Sequence, residues 1–113
     1  MIMGKVVGTV VSTHKDEGMR GFKLLVVQSL DINMKLTGSY LIATDAVGAG
    51  LDEVVIVVQG SSARLTDQTK NRPVDAAIIC IVDSVEVQGK LTYEKRLEVG
   101  RPPVEMVKTG TGQ

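Results

Sequence analysis

The sequence predicts an all-β domain, built as a small five-stranded barrel. β-branched residues dominate its apolar content, with eighteen Val and seven Ile among 113 residues. Such side chains are stiff about χ1 and suit a pleated sheet. Short apolar runs alternate with turn-forming residues, and helical periodicity is nearly absent. Strands of this length and spacing are typical of a small closed or partly open barrel.

Five apolar segments are the predicted strands, each bounded by residues that favour turns. They are about Met3–Ser12, Phe22–Leu30, Ser39–Thr44, Glu53–Gln59 and Ala76–Val87. Between the last two strands the stretch "SSARLTDQTKNRPVD" lacks strand alternation, and Ser61 or Ser62 could cap a helical turn there. We therefore expect an OB-like barrel with a short helical segment between strands four and five.

The predicted barrel domain spans residues 1–88, followed by a C-terminal extension over residues 89–113. The extension is more polar, and "GRPP" at Gly100–Pro103 disfavours regular structure because proline removes a backbone donor. We expect the last residues, "KTGTGQ", to be flexible. A domain of this size can bury a core without disulfides or metal.

Charge and cysteine usage exclude several classes of protein. Thirteen basic and thirteen acidic residues give a net charge of zero, without a basic run for nucleic acid or an anionic membrane. The single Cys80 lies in the apolar run "AAIICIV" and is expected to be a buried hydrophobe in a reducing cytosol. The chain start lacks the features of a signal peptide, and no apolar stretch is long enough for a membrane helix. These features predict a cytosolic protein that is not bound to a membrane.

Two motifs suggest enzyme chemistry and fail on their details. Gly48-Ala49-Gly50 could open a dinucleotide fingerprint, but position 53 is Glu and a strand follows instead of a helix. "GSSAR" at Gly60–Arg64 has Arg where a nucleophile elbow needs a second glycine. We interpret the first segment as a tight corner that uses the backbone freedom of glycine. Ser61 and Ser62 are interpreted as capping or interface hydrogen-bond donors.

The remaining polar residues do not support an active site. His14 is the only histidine, and it lies far along the chain from Ser61 and Cys80. A serine without a nearby base is a poor nucleophile, and one Cys with one His cannot bind zinc without carboxylate ligands. The sequence therefore predicts a protein without catalytic residues, metal or cofactor.

Binding of single-stranded nucleic acid is the alternative function, because OB-fold modules often have it. That function needs aromatic stacking platforms in a basic groove. Phe22, Tyr40 and Tyr93 are few and scattered, and the net charge is zero. We expect no nucleic-acid partner.

Strands four and five are apolar on both faces, although a half-exposed strand usually alternates apolar with polar residues. In strand four Val55 and Val57 share one face, and in strand five Ile79 and Ile81 do so. A domain this small has one interior, so another element or a second subunit must cover the other face. We expect a second subunit.

Three stretches resemble the vertex proteins of bacterial microcompartments, the EutN/CcmL family. They are "GKVVGTVVSTHKDEGMRGFKLLVVQSLD", "DAVGAGLDEVVIVVQGSSAR" and "RPVDAAIICIVDSVEV", at residues 4–31, 45–64 and 72–87. The resemblance implies a homopentamer, a cyclic ring that caps the five-fold vertices of a polyhedral shell tiled by hexameric proteins. It also implies a location in the shell, within the bacterial cytoplasm. The residues do not distinguish a carboxysome from an alcohol, diol or glycyl-radical compartment.

The resemblance also implies that "DAVGAG" and "GSSAR" lie at the subunit interface or near the five-fold axis, where converging backbones leave room only for small residues. To these we add the four residues from the apolar faces of strands four and five. The complete predicted set is Asp45, Gly48, Ala49, Gly50, Gly60, Ser61, Ser62, Arg64, Val55, Val57, Ile79 and Ile81.

Overall fold

A computed structural model of the chain describes residues 1–98, and within them the all-β prediction is confirmed. Seven strands lie in this part of the chain, with 3-10 turns at Glu17–Met19 and Gly60–Arg64 and a short helix, α1, at Lys95–Glu98. The strands are β1 Ile2–Val10, β2 Leu24–Leu30, β3 Leu36–Asp45, β4 Val54–Gln59, β5 Ala76–Ile81, β6 Ser84–Val87 and β7 Lys90–Glu94. The predicted flexible end, "KTGTGQ", lies outside the described residues.

Five of the strands close into a barrel in the order β1-β2-β3-β5-β4, and β4 pairs back with β1. All the pairings are antiparallel except β3 with β5, which is parallel. Closure leaves none of these five strands at an open sheet edge, where unpaired backbone groups would be exposed. The five-stranded OB-like barrel and the short helical segment between strands four and five are confirmed.

The barrel interior is filled mainly by β-branched and leucine side chains that point inward from the strands. The largest of the fully buried ones are Leu25, Ile78, Val6, Val27, Val55 and Val57. β1 approaches β2 closely at Gly4, where a Cβ atom would overlap the side chain of Val27. The core therefore needs glycine at this position of β1.

The assignment of Val55 and Val57 to an outer face is wrong. Both side chains have 0% exposure in the single chain and pack in the barrel core. The sequence could not show which of the two apolar faces points inward, because strand alternation defines two faces without orienting them. Ile56 and Val58 instead occupy the outward-facing positions of β4.

The strand predicted over Ala76–Val87 is broken in the structure. β5 ends at Ile81, and β6 starts a separate hairpin with β7. Gln88 and Gly89 both have positive φ, at 51° and 80°, as expected for the central residues of a type I′ hairpin turn. The domain boundary predicted after residue 88 therefore falls inside this turn.

The helical segments within residues 1–98 lack the length and hydropathy of a membrane-spanning helix.

Candidate subunit interface

The Gly48–Gly50 corner connects β3 to β4 and is held by the carboxylate of Asp45. Oδ1 of Asp45 accepts the backbone N–H groups of Val47, Gly48 and Ala49 at 3.1, 3.0 and 3.1 Å. Gly48 has a φ of +82°, a conformation that residues with a Cβ rarely adopt. Asp45 thus fixes the corner from within the chain.

Glu53 closes the other end of the corner. Its Oε1 accepts the backbone N–H of Gly50 at 2.6 Å, and its Oε2 pairs with Nζ of Lys95 at 2.8 Å. The pKa of Glu53 lies below its ordinary value, first because of the Lys95 hydrogen bond and then because of the Gly50 bond. The same pair raises the pKa of Lys95. This contact ties the corner to the start of α1.

The corner cannot cradle a phosphate in this arrangement, because the four consecutive amides of residues 47–50 already donate to carboxylates. Lys23 also donates to the carbonyl of Ala49, at 3.3 Å. This geometry agrees with the interpretation that the glycines form a tight corner.

The prediction that places Ala49 at an interface or axis disagrees with the structure. Ala49 is 1% exposed and belongs to the barrel core, whereas Gly48 is exposed and Gly50 half-buried. The small size of Ala49 serves the interior of its own chain. Only the flanking glycines of the corner offer surface to a neighbour.

The Gly60–Arg64 turn lies at the other end of β4 and contacts both β4 and β5. Gly60 has a φ of +68°, and its N–H donates to the carbonyl of Asp75 at 2.8 Å. Ala63 is fully buried, while Ser61 and Ser62 are exposed. The N-cap residue is Gln59 and makes no side-chain capping bond, so neither serine caps the turn.

The guanidinium of Arg64 makes a hydrogen bond within its own chain. Its Nη1 donates to the carbonyl of Val74 at 3.0 Å, which ties the turn to the segment before β5. The side chain is otherwise exposed. A role for Arg64 at the predicted subunit interface would therefore use the guanidinium N–H groups that do not take part in this bond.

The structure does not bring the two predicted loop segments together. The Gly48–Gly50 corner precedes β4 and the Gly60–Arg64 turn follows it. Six strand residues separate them, which is roughly 20 Å at about 3.3 Å per residue. They can belong to one continuous contact only if the contact runs along the whole strand.

On the outside of the barrel, β4 and β5 form what we call the β4–β5 wall: Ile56, Val58, Ile79 and Cys80. Ile79 and Ile81 are half-buried, as are Ile56 and Val58. The prediction that Ile81 shares this outer face is wrong, because Ile81 pairs with the buried Val55 and packs against the core. Cys80 is exposed, so the expectation that it is buried is wrong.

Sequence reasoning missed a more exposed apolar surface on β3, the strand that pairs with β5. The outward positions of β3 are Leu36, Gly38, Tyr40 and Ile42, and three of these are large exposed apolar side chains. The signal was present in "SYLIA", which is apolar at successive positions like strand four.

The described residues support neither a catalytic site nor a nucleic-acid-binding surface. Residues 1–98 contain no group of three His, Cys, Asp or Glu side chains that could hold a metal ion. The guanidinium of Arg72 covers the ring of Phe22, 4.4 Å from its centroid, so this aromatic face is occupied. Tyr40 is exposed on the outer surface of β3.

The sequence is similar to known proteins that belong to one family. Residues 1–83 match the family model described as ethanolamine utilisation protein EutN/carboxysome. The carboxysome shell vertex protein CcmL of Synechococcus elongatus is 48% identical over 96 residues, covering 85% of this chain and 97% of that protein.

Two solved structures have the same fold. CcmL of Gloeobacter violaceus superposes with a TM-score of 0.82 at 44% identity, covering 85% of this chain and 99% of the other. The pentameric microcompartment shell protein GrpN of Rhodospirillum rubrum gives a TM-score of 0.71 at 50% identity, covering 77% and 99%. On the sequence match, the coverage and the shared barrel, the chain belongs to the EutN/CcmL family.

Proposed function

We propose that this chain forms a ring of five subunits that caps the five-fold vertices of a bacterial microcompartment shell. The observation that carries the proposal is the shared barrel of a pentameric shell protein, GrpN, at 50% identity over most of the chain. The relative from Synechococcus elongatus is described as a shell vertex protein. The function is structural, and the chain catalyses no reaction in it.

A vertex protein is needed for a geometric reason. Units with six-fold symmetry tile a plane without net curvature, so they cannot enclose a volume alone. Closure needs a small fixed number of five-fold units. Each ring therefore acts at few sites, but every one of these sites is required for a sealed shell.

A five-membered ring uses two different patches on each subunit, because a head-to-tail interface closes by rotation. We assign one patch to the β4–β5 wall with the exposed part of the Gly60–Arg64 turn, Ser61 and Ser62. The wall is apolar and the serine hydroxyls are exposed, a combination typical of an interface core with a polar rim. Gly48 and Gly50 add a flat, side-chain-free edge at the far end of β4.

The rim of the ring then meets hexameric shell proteins on the facets. That contact has to be weak enough for an assembling shell to correct errors. The net charge of zero and the exposed polar residues within 12–17 and 67–71 suit such a contact. We place the protein in the shell of the compartment, with itself and hexameric shell proteins as partners.

Deletion of the gene from cells that make the matching hexamers tests this function. We expect elongated or leaky compartments that retain encapsulated enzyme activity, and a plasmid-borne copy should restore closed polyhedra. Sealed, regular polyhedra in deletion cells that lack any other vertex protein would show that the vertex role is wrong.

A further inference from the structure

The β6–β7 hairpin is built differently from the barrel that it follows. It is a separate two-stranded sheet, whereas the other five strands close on one another. Within residues 82–96 no side chain is fully buried and none belongs to the barrel core. An isolated two-stranded hairpin is marginally stable in water. The position of this hairpin on the barrel therefore depends on the polar contacts that connect the two.

The chain leaves the barrel directly after Val82. The N–H of Val82 donates to the carbonyl of Val54 at 2.8 Å, which continues the bonding between β4 and β5 by one residue. The next residue, Asp83, is exposed, and β6 begins after it. Residues 82–83 are thus the point about which the hairpin could move relative to the barrel.

Lys95 connects the far end of the hairpin back to the barrel. Its backbone N–H donates to the carbonyl of Asp83 at 2.8 Å, which closes the base of the hairpin. Its Nζ donates to Oε2 of Glu53 at 2.8 Å, and Glu53 lies directly before β4. The two side chains are 33% and 25% exposed, so solvent and salt screen this pair less than a fully exposed one.

The two partners of this ion pair differ in how firmly they are fixed. The backbone carbonyl of Glu53 accepts the N–H of Val6 at 3.0 Å, and its Oε1 accepts the N–H of Gly50. Glu53 is therefore oriented by the barrel whether or not Lys95 is present. Lys95 belongs to a hairpin without buried residues, so loss of the pair should free the hairpin and leave the corner in place.

We propose that residues 84–96 form a strap that Lys95 fastens to Glu53 and that can be released while the barrel stays folded. Local opening of a segment with few buried contacts needs less free energy than unfolding of the whole domain. Loss of the ammonium charge of Lys95 is the event that releases the strap. This inference concerns the single chain and does not depend on the proposed ring.

Hydrogen exchange of the full chain at neutral pH, followed by mass spectrometry of its peptides, tests the strap. In Lys95→Met the amides of residues 84–94 should exchange about five- to tenfold faster than in wild type, while those of β2 and β3 keep their rates. Lys95→Arg keeps the positive charge and should retain most of the protection. Lys90→Met is the matched control, because Lys90 is an exposed lysine of β7; it should exchange like wild type.

Several results would overturn the strap. Unchanged exchange of residues 84–94 in Lys95→Met would do so, as would the same acceleration in Lys90→Met. If the barrel strands accelerate by the same factor, or if Lys95→Met does not fold, the hairpin and the barrel unfold as one unit. Equal loss of protection in Lys95→Arg and Lys95→Met would contradict the charge pair as the fastening contact.

A double-mutant cycle identifies Glu53 as the partner. Glu53→Gln alone should accelerate exchange of residues 84–94, but in the Lys95→Met background it should add little, because the pair is already broken. An additive acceleration in the double variant would show that Glu53 and Lys95 act on the strap independently, and the proposed fastening would be wrong.

Discussion

The Gly48–Gly50 corner and the Gly60–Arg64 turn are both rich in small residues, but these residues differ in what they contact. In the corner, four consecutive amides bind the carboxylates of Asp45 and Glu53, and Ala49 is in the core. In the turn, Ala63 is buried but the two serines remain exposed. Small residues in the first serve the chain's own packing. In the second they leave polar groups available to a neighbour.

The largest effect that we expect comes from Ala49→Glu. A carboxylate forced into the barrel core without a partner should cost several kcal/mol of unfolding free energy, because a buried charge loses its hydration. Thermal or urea unfolding followed by circular dichroism measures this cost. The matched variant Ser62→Glu should leave unfolding nearly unchanged. Equal unfolding curves for the two variants would contradict the assignment of Ala49 to the core.

The same Ser62→Glu variant tests whether the Gly60–Arg64 turn lies at the subunit interface. It adds five like charges to a ring, so the ring should dissociate at higher protein concentration than the wild type, and less so in high salt, which screens the charges. Ser62→Ala is the control. Analytical ultracentrifugation over a dilution series gives the readout, and unchanged dissociation at low salt would remove the turn from the interface.

Replacement of Glu53 tests how much its hydrogen bond to Gly50 stabilises the corner. Glu53→Gln replaces the charged acceptor for Gly50 with a neutral amide oxygen. Hydrogen bonds to charged groups contribute about 1.5–3 kcal/mol and neutral ones about 0.5–1.5 kcal/mol, so we expect a loss of about 1 kcal/mol in unfolding free energy. The matched variant Glu86→Gln changes an exposed carboxylate on the β6–β7 hairpin and should have little effect.

The pH dependence of stability follows from the lowered pKa of Glu53. Its contribution is complete above the pKa of the unfolded chain, near 4.5, and is lost as the pH falls through the lower pKa of the folded chain. Wild type should therefore lose more stability than Glu53→Gln when the pH drops below about 4.5. Parallel urea titrations at pH 7 and in this acid range measure the difference; parallel losses in both proteins would contradict this role of Glu53.

Arg64→Ala should have the smallest effect. The side chain makes one hydrogen bond to Val74 in an exposed setting, so we expect a loss of about 0.5–1.5 kcal/mol in unfolding free energy. Arg64→Lys, which cannot reproduce the guanidinium geometry, separates shape from charge. If Arg64→Ala changes the free energy of ring dissociation more than the free energy of unfolding, Arg64 lies at the subunit interface.

Much of the fold was predictable from local pattern. Runs such as "VVIVVQ" and "LLVVQSL" are rich in β-branched residues and bounded by turn residues, which favours strands. Five strands of this length and spacing are typical of a small barrel. The orientation of the faces was not predictable, because Val55 and Ile56 are both apolar and alternation alone does not say which points inward. The β-bulge between Ile56 and Val57 further shifts the register with β5.

The interface was harder to predict for a related reason. Glycine and alanine in a loop fit a tight internal corner and a crowded contact between chains equally well. Ala49 and Gly48 differ in burial: Ala49 lies in the core and Gly48 is exposed. Burial depends on contacts between residues that are distant in sequence. The exposed apolar surface at Tyr40 and Ile42 could have been suspected from the sequence, since their strand carries large apolar residues on both faces.

The mass of the purified chain under native conditions shows whether the protein forms a ring of five. Native mass spectrometry over a dilution series should give a dominant species of five times the chain mass of 12.1 kDa, unaffected by added oligonucleotide. A chain that stays monomeric at all concentrations, or that gains mass only when single-stranded oligonucleotide is added, would contradict the ring and favour the nucleic-acid alternative.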